Sequence, residues 1–274
     1  MTEIIDLENV DGGPSSGPVV AFTASRARIA NPHPDVIERT RNHVVIVGTS
    51  GSGHHMVDFD RFPVEVGTAV NVQPGQVHRF DPDADFEAVA VVIHPDCCPT
   101  GLVGPADHGP PATLGPATAI VTALATDLLR LSENGRTADP LVVTTARLLL
   151  RHVAVAATVP LPGEPSGSAD LVRAFRAELE RSHATTRSAA HYASEIGTST
   201  KTLSRATATH HGRSPKEMID ARVALEAKRL LVDTNEPIAV IGGRLGFTEA
   251  TNFTKFFIRI TGLSPHDFRQ LPPG

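Results

Sequence analysis

A duplication near the carboxyl end constrains this chain more than any other feature. Set 50 residues apart, Leu203-Ser204-Arg205 falls on Phe253-Thr254-Lys255, and Gly212-Arg213-Ser214-Pro215-Lys216-Glu217 falls on Gly262-Leu263-Ser264-Pro265-His266-Asp267. Slightly upstream the offset is 49, with Ile196-Gly197 on Leu245-Gly246. Apolar, hydroxyl, basic, glycine, Ser-Pro and acid recur in one order, which marks a repeated supersecondary unit. Each copy holds the parts of a helix, a glycine-bearing turn and a second helix. In the first, residues 189–196 make a short helix with Tyr192 and Ile196 on one face. Gly197 ends it, and Ser199 is placed to cap a helix starting at Thr200. In the second, residues 238–245 lead, Gly246 terminates, Thr248 stands at the cap, and Phe253, Phe256 and Phe257 supply the buried face. Gly242-Gly243 inside the leading helix costs about 1 kcal/mol per glycine, a cost that close packing explains. Ser214-Pro215-Lys216-Glu217 has the form of a capping box with proline in the first turn. A helix through Met218, Arg222, Ala227 and Leu230-Leu231 therefore joins the copies, and Ser264-Pro265-His266-Asp267 starts a shorter one.

A helix that reads DNA carries short polar or small residues toward its N-terminus, where base edges in the major groove are reached, and basic groups for phosphates. Both copies comply. The first offers Ser199, Thr200, Lys201, Thr202 and Arg205 while Leu203 packs inward. The second offers Thr248, Glu249, Ala250, Thr251, Asn252 and Lys255. Polar stripes are usually plain solvated faces; the duplication separates these from that ordinary case. Two such helices in one protomer reach successive major grooves about 34 Å apart, and so read an asymmetric site.

The run 222–231, with Ile238-Ala239, Leu245-Gly246-Phe247, Asn252-Phe253, Phe256-Phe257, Gly262-Leu263-Ser264-Pro265 and Phe268-Arg269, resembles the AraC/XylS family of transcription regulators. The resemblance covers residues 171–270 and is densest in the second copy. Family members usually carry a bulky apolar residue after the Leu-Ser-Arg triplet; here Ala206-Thr207 follows. The resemblance implies double-stranded promoter or operator DNA as partner, with RNA polymerase possible as a second, and a regulator rather than an enzyme. It leaves activator or repressor open.

The halves differ in charge. Residues 1–159 hold 10 basic and 18 acidic side chains, and residues 160–274 hold 15 and 12, including all four lysines. An acidic module joined to one that meets a polyanion fits that asymmetry. Residues 159–169, rich in Pro, Gly and Ser, read as a linker between domains at 1–158 and 170–274. A chain of 274 residues accommodates two such domains. Residues 1–9 are acidic and lack the pattern of a secretory signal. No stretch approaches about 18 consecutive apolar residues, so no membrane is expected. Adjacent Cys97 and Cys98 fit a reducing compartment, and the expected location is the cytoplasm. The pair serves either as structural thiols or as a sensor of electrophiles or soft metals.

In the first half, short β-branched runs (44–47, 57–66, 69–72, 88–93) alternate with turn residues, including 48–53, which argues a β-sandwich or small barrel. The segment 48–80, with Gly67-Thr68-Ala69-Val70-Asn71-Val72-Gln73-Pro74-Gly75-Gln76-Val77-His78, resembles the cupin-like barrel often fused to this family. The expected fold is thus α+β and multidomain: an N-terminal cupin-like β-barrel with two helices, and a C-terminal all-α domain with two helix-turn-helix units. The barrel is read as an effector site with His54, His55, Phe59, His78 and Phe80 around a small molecule. One alternative is a metal-dependent cupin oxygenase or isomerase, using one of the histidine pair with Glu65 and His78. Neighbours on a strand face opposite ways, however, so His54 and His55 do not easily share a metal. The other alternative is a DNA-binder whose barrel only dimerises. The leading expectation carries no cofactor and no metal. Helices at 116–134, with Ile120, Leu124, Leu128 and Leu131 recurring, and at 140–157, opening on Asp139-Pro140, carry more apolar surface than one face requires, so a homodimer through them is expected.

Overall fold

The computed structural model describes residues 17–25, 37–99, 112–157 and 166–271. The chain divides into two compact units between residues 159 and 160.

The first unit is built from β1 (Val19–Ser25), β2 (Glu38–Arg39), β3 (His43–Ser50), β4 (Ser52–Val57), β5 (Asp60–Glu65), β6 (Thr68–Val72), β7 (Val77–Pro82), β8 (Glu87–Ile93) and β9 (Ala112–Thr113). Antiparallel ladders join them in a five-stranded sheet, β1-β8-β3-β6-β9, and a four-stranded sheet, β2-β7-β4-β5. Alternation along the first sheet sends Val45, Val47, Val89, Val91 and Ile93 to one apolar layer and Val44, Ile46, Val70, Val72, Ala88 and Val92 to another. Both faces are buried, so these strands read as unbroken apolar runs rather than alternating ones.

Among the described residues no closed barrel forms: the architecture is two open sheets, which corrects the barrel expectation. Strand β5 stands at an open edge of its sheet, and Pro63 within it has no N–H to donate. The crossing there is a single isolated bridge between Gly48 and Val66. Gly48 sits so close to the neighbouring chain that a Cβ would lie 2.3 Å from the Glu65 carbonyl oxygen. The stretch 48–53 is mostly strand, with the reversal confined to Gly51 (φ +62°). The run 57–66 is instead broken at Asp58-Phe59, where φ is +51° and +73°.

Two helices, α1 (Thr118–Glu133) and α2 (Pro140–Ala157), cover the five-stranded sheet. Asp139 Oδ1 accepts the Leu141 N–H at 2.8 Å, the cap its position suggests. The buried face of α1 is Val121, Ala125, Leu128 and Leu131; of the expected stripe, Leu128 and Leu131 belong to it, Leu124 is half-buried against the same core, and Ile120 is 45% exposed. In α2, Val142, Ala146, Leu149, Leu150 and Val153 are buried, while Leu141, Leu148 and Val155, spaced by seven, are about half exposed. By length and composition α2 is apolar enough to cross a membrane, with a mean hydropathy of 1.3. Its Thr144, Arg147, Arg151 and His152 interrupt the uninterrupted run that the sequence test sought.

The second unit is helical: α3 (Ser166–Ser182), α4 (Ala189–Glu195), α5 (Thr200–His211), α6 (Pro215–Asp233), α7 (Ile238–Arg244), α8 (Ala250–Thr261) and α9 (Pro265–Arg269). The period of Val172, Phe175 and Leu179 sets α3, which takes in residues 166–169, assigned to the linker from sequence. α6 is the central element. Its Ile219, Val223, Ala227 and Leu231 share one core with Tyr192, Leu203, Ile241, Phe253 and Phe257. Complete burial of each such side chain contributes about 1.5–3 kcal/mol. Ser214 and Glu217 form the expected capping box at its start. On its polar side, Arg222 Nε donates to both carboxylate oxygens of Glu180 at 2.9 Å, and Arg222 and Arg229 share Glu226 at 3.1 Å each. Paired this way the charges tolerate burial, and they fasten α3 onto α6.

Candidate functional site

The duplicated unit yields two helix pairs, α4 with α5 and α7 with α8. In the first, Ser188 caps α4, Gly197 reverses the chain at φ +68°, and Ser199 Oγ accepts the Thr202 N–H at 3.1 Å to cap α5. Leu203 is completely buried. Ser199, Thr200, Lys201 and Arg205 are exposed, and Thr202 is half-buried. The second pair repeats the plan with one difference. Gly246 reverses the chain at φ +73°, but α8 begins at Ala250 with Glu249 at the cap position, and no side chain caps it. Thr248 is therefore exposed turn, not the cap read from the sequence. The change of offset from 49 to 50 has this cause: the second turn is one residue longer. Glu249, Ala250, Thr251, Asn252 and Lys255 are exposed as well, over a completely buried Phe253.

Behind the outer faces the copies are filled differently. Phe256 and Phe257 are buried in α8, whereas Ala206 and Thr207 occupy the matching places in α5. Thr207 turns its hydroxyl back to the Ser204 carbonyl at 3.2 Å, and Phe175 and Leu179 of α3 enter the same core. Gly242 has the close packing its position suggests, since a Cβ would stand 3.0 Å from that of Phe253; around Gly243 the space is open. A shallow cleft of about 240 Å³ beside the second copy is lined by Arg213, Glu217, Asp220, Ala221, Arg259 and Ile260. Its buried carboxylate, Asp220, is held by Lys216 at 2.5 Å and Arg259 at 3.0 Å, so the cleft has its own ion pairs satisfied.

In the first unit, adjacent strands of the four-stranded sheet place His55 of β4 beside His78 and Phe80 of β7. His55 Nε2 and His78 Nδ1 are 3.2 Å apart, so one ring donates and the other accepts. The Phe80 ring centre is 5.8 Å from that of His55 and 5.6 Å from that of Phe86. Burial holds His55 far below the ordinary imidazole range, assisted by His78; burial lowers His78 to about 4 against the opposing pull of Asp58. Both rings are neutral near pH 7. His55 Nδ1 is buried without a hydrogen-bond partner. Asp58, which the sequence reading missed, accepts from Gln76 Nε2 at 2.6 Å and from the Val77 N–H at 3.2 Å, which anchors the β4–β5 turn to β7. Asp-Phe-Asp between two strand runs is the signal that marks such a turn.

His54 and Phe59 stand apart from this cluster: His54 is on the opposite face of β4, and Phe59 occupies the turn. Glu65 pairs with Ser52, three positions along from His55, and is exposed, so it does not join His55 and His78. Among the described residues no group of three or more His, Cys, Asp or Glu is arranged to hold a metal ion. Cys97 and Cys98 are free, and burial pushes the Cys98 thiol up to about 11 and raises that of Cys97, so both stay protonated.

Residues 192–271 match the family described as a helix-turn-helix domain. The second unit contains a helix-turn-helix domain. Over 59 residues, 22% of this chain, the sequence is 38% identical to YobQ, an uncharacterised regulator of the helix-turn-helix type from Bacillus subtilis strain 168. The match spans 24% of that protein's length. Among solved structures, the chain is similar to an AraC-type transcriptional regulator from Chromobacterium violaceum, with 22% identity over 38% of this chain and 94% of that one and a TM-score of 0.35. It is also similar to ToxT from Vibrio cholerae O395, with 10% identity over 94% of this chain and 99% of that one and a TM-score of 0.47. In the helix-turn-helix domain, the residues named from sequence as DNA contacts lie at the turns and the N-terminal halves of α5 and α8.

Proposed function

We propose that this chain is a sequence-specific transcription regulator in which α5 and α8 read DNA and the double-sheet unit senses a small molecule. The observation that carries the reading is the pair of helices with matched buried anchors, Leu203 and Phe253, beneath exposed short polar and basic side chains. Thr200, Lys201, Thr202 and Arg205 on α5, and Ala250, Thr251, Asn252 and Lys255 on α8, are the base-facing and phosphate-facing set; Ser199, Thr248 and Glu249 flank them. Each helix also directs its positive N-terminal end toward the same region as these side chains.

The sensing site is assigned to His55, His78 and Phe80; His54, on the opposite face of β4, and Phe59, in the turn, lie outside it. Two neutral imidazoles within an apolar layer offer hydrogen bonds that fix the orientation of a largely apolar effector. Such an effector alters DNA binding only as far as it binds two arrangements of the chain unequally. A second copy of the chain, through α1 and α2, and RNA polymerase complete the partners of a regulator working in the cytoplasm.

The test uses the full chain and a pool of randomised duplex DNA at low salt. The expected result is enrichment of one two-part sequence, lost together in Arg205→Ala and Asn252→Ala. Retention of all duplexes alike, or of none, would refute the reading.

A further inference from the structure

The turn of the second helix pair is gripped from outside that pair. Arg187, in the segment between α3 and α4, donates from Nη1 to the Leu245 carbonyl at 2.8 Å and from Nη2 to that of Gly246 at 3.1 Å. Its guanidinium carbon lies 3.8 Å from the centre of the Phe247 ring. Phe247 in turn packs on Phe253 and Phe256 of α8, with ring centres 5.3 and 5.1 Å apart. From the same segment, the Ala184 carbonyl approaches so closely that a Cβ on Gly246 would stand 2.6 Å from it.

Arg187 is covalently next to Ser188, the cap of α4. One residue thus links the start of the first pair to the end of the leading helix in the second. The long route between the pairs runs through α6, which packs against both. One strut leaves rotation about itself; a second contact away from its axis removes it. A planar guanidinium suits the task, because its edge takes two carbonyl oxygens while its face lies on an aromatic ring, which an ammonium cannot reproduce.

We propose that Arg187 is a positioning residue that fixes the angle between α5 and α8, and through it the spacing between the two halves of the DNA sequence the chain accepts. The proposal rests on the reading that both copies contact DNA.

The experiment takes the two-part duplex enriched by the full-length wild-type chain and compares it with versions carrying one base pair more or fewer between the halves. Wild type is expected to lose about tenfold in affinity on either change, the scale of a lost specific contact. Arg187→Ala is expected to bind the parent duplex several-fold more weakly and to lose less than about threefold on the spacing changes. Arg187→Lys should behave like Arg187→Ala in that ratio, and Phe247→Leu, which removes the ring from the other side, should reproduce it while keeping the arginine. An Arg187→Ala chain with the wild-type spacing ratio overturns the proposal. So does a salt slope lower by about one with the ratio unchanged, which would make Arg187 a phosphate contact. If the wild-type chain enriches no two-part sequence, the DNA reading fails first and the proposal with it, before any variant is compared.

Discussion

His55 and His78 show what a single buried side chain does to the energetics of the first unit. An imidazole lowered on folding is one that the unfolded chain protonates first. Stability is then complete above the unfolded value of 6.5 and falls as the pH drops toward about 4, where His78 takes up its proton in the folded state. For His78 that displacement corresponds to about 3 kcal/mol. Urea unfolding between pH 7.5 and 4.5 should show the loss, and the double replacement His55→Leu with His78→Leu should reduce it, leaving the part due to His43, which burial also lowers. An equal fall in the double variant would remove these histidines from the account. At this scale the sequence was informative about side chains whose surroundings are local. Leu203 stood out as an inward anchor, whereas His55 and His78 were reached only through the likeness of residues 48–80 to a cupin-like barrel, which brought in His54 and Phe59 as well. Asp58 and Arg187 did not stand out, since each acts on groups that only folding brings near it: Asp58 on Gln76 and Val77, Arg187 on carbonyls 58 and 59 residues away.

Among the elements, the helix starts make the sharpest comparison. Ser199 caps α5, and Ser214 and Ser264 cap α6 and α9, while Glu249 leaves α8 without a side-chain cap. Replacement Glu249→Ser should supply the missing acceptor and raise the stability of the helical unit by about 0.5–1 kcal/mol, measured by urea unfolding. It should also strengthen DNA binding at low salt, because it removes an exposed carboxylate from the face assigned to phosphate. The misplaced cap at Thr248 came from carrying the plan of the first turn onto a second turn that is one residue longer. On α1 only the first turn was misread, with Ile120 in place of Val121, and that has another origin. Val121, Ala125, Leu128 and Leu131 are as regular as Ile120, Leu124, Leu128 and Leu131, and when a helix is apolar over so wide an arc, the sheet beneath decides which edge is covered. Helices with polar opposite faces, α5 above all, were legible because only one side was available to bury.

For the molecule as a whole, the division into an acidic sheet-rich half and a more basic helical half was plain from charge and composition, but the closure of the sheets was not. Whether strands close depends on their edges, and β5, with Pro63 on its ladder, remains one. The proposed assembly with a second chain rests on the apolar residues Leu141 and Leu148, each about half exposed on α2. Leu148→Glu should convert a dimer to a monomer in sedimentation experiments while leaving the melting temperature within a few degrees, because Leu148 is about half exposed in the single chain. A wild-type chain already monomeric at tens of micromolar would refute that assembly. The longer turn between Gly246 and Ala250 also takes up the whole difference in length between the two helix pairs, so neither α8 nor its buried face is displaced by it. One residue more inside either helix would have swung every later side chain by about 100° and taken the phenylalanines out of the interior.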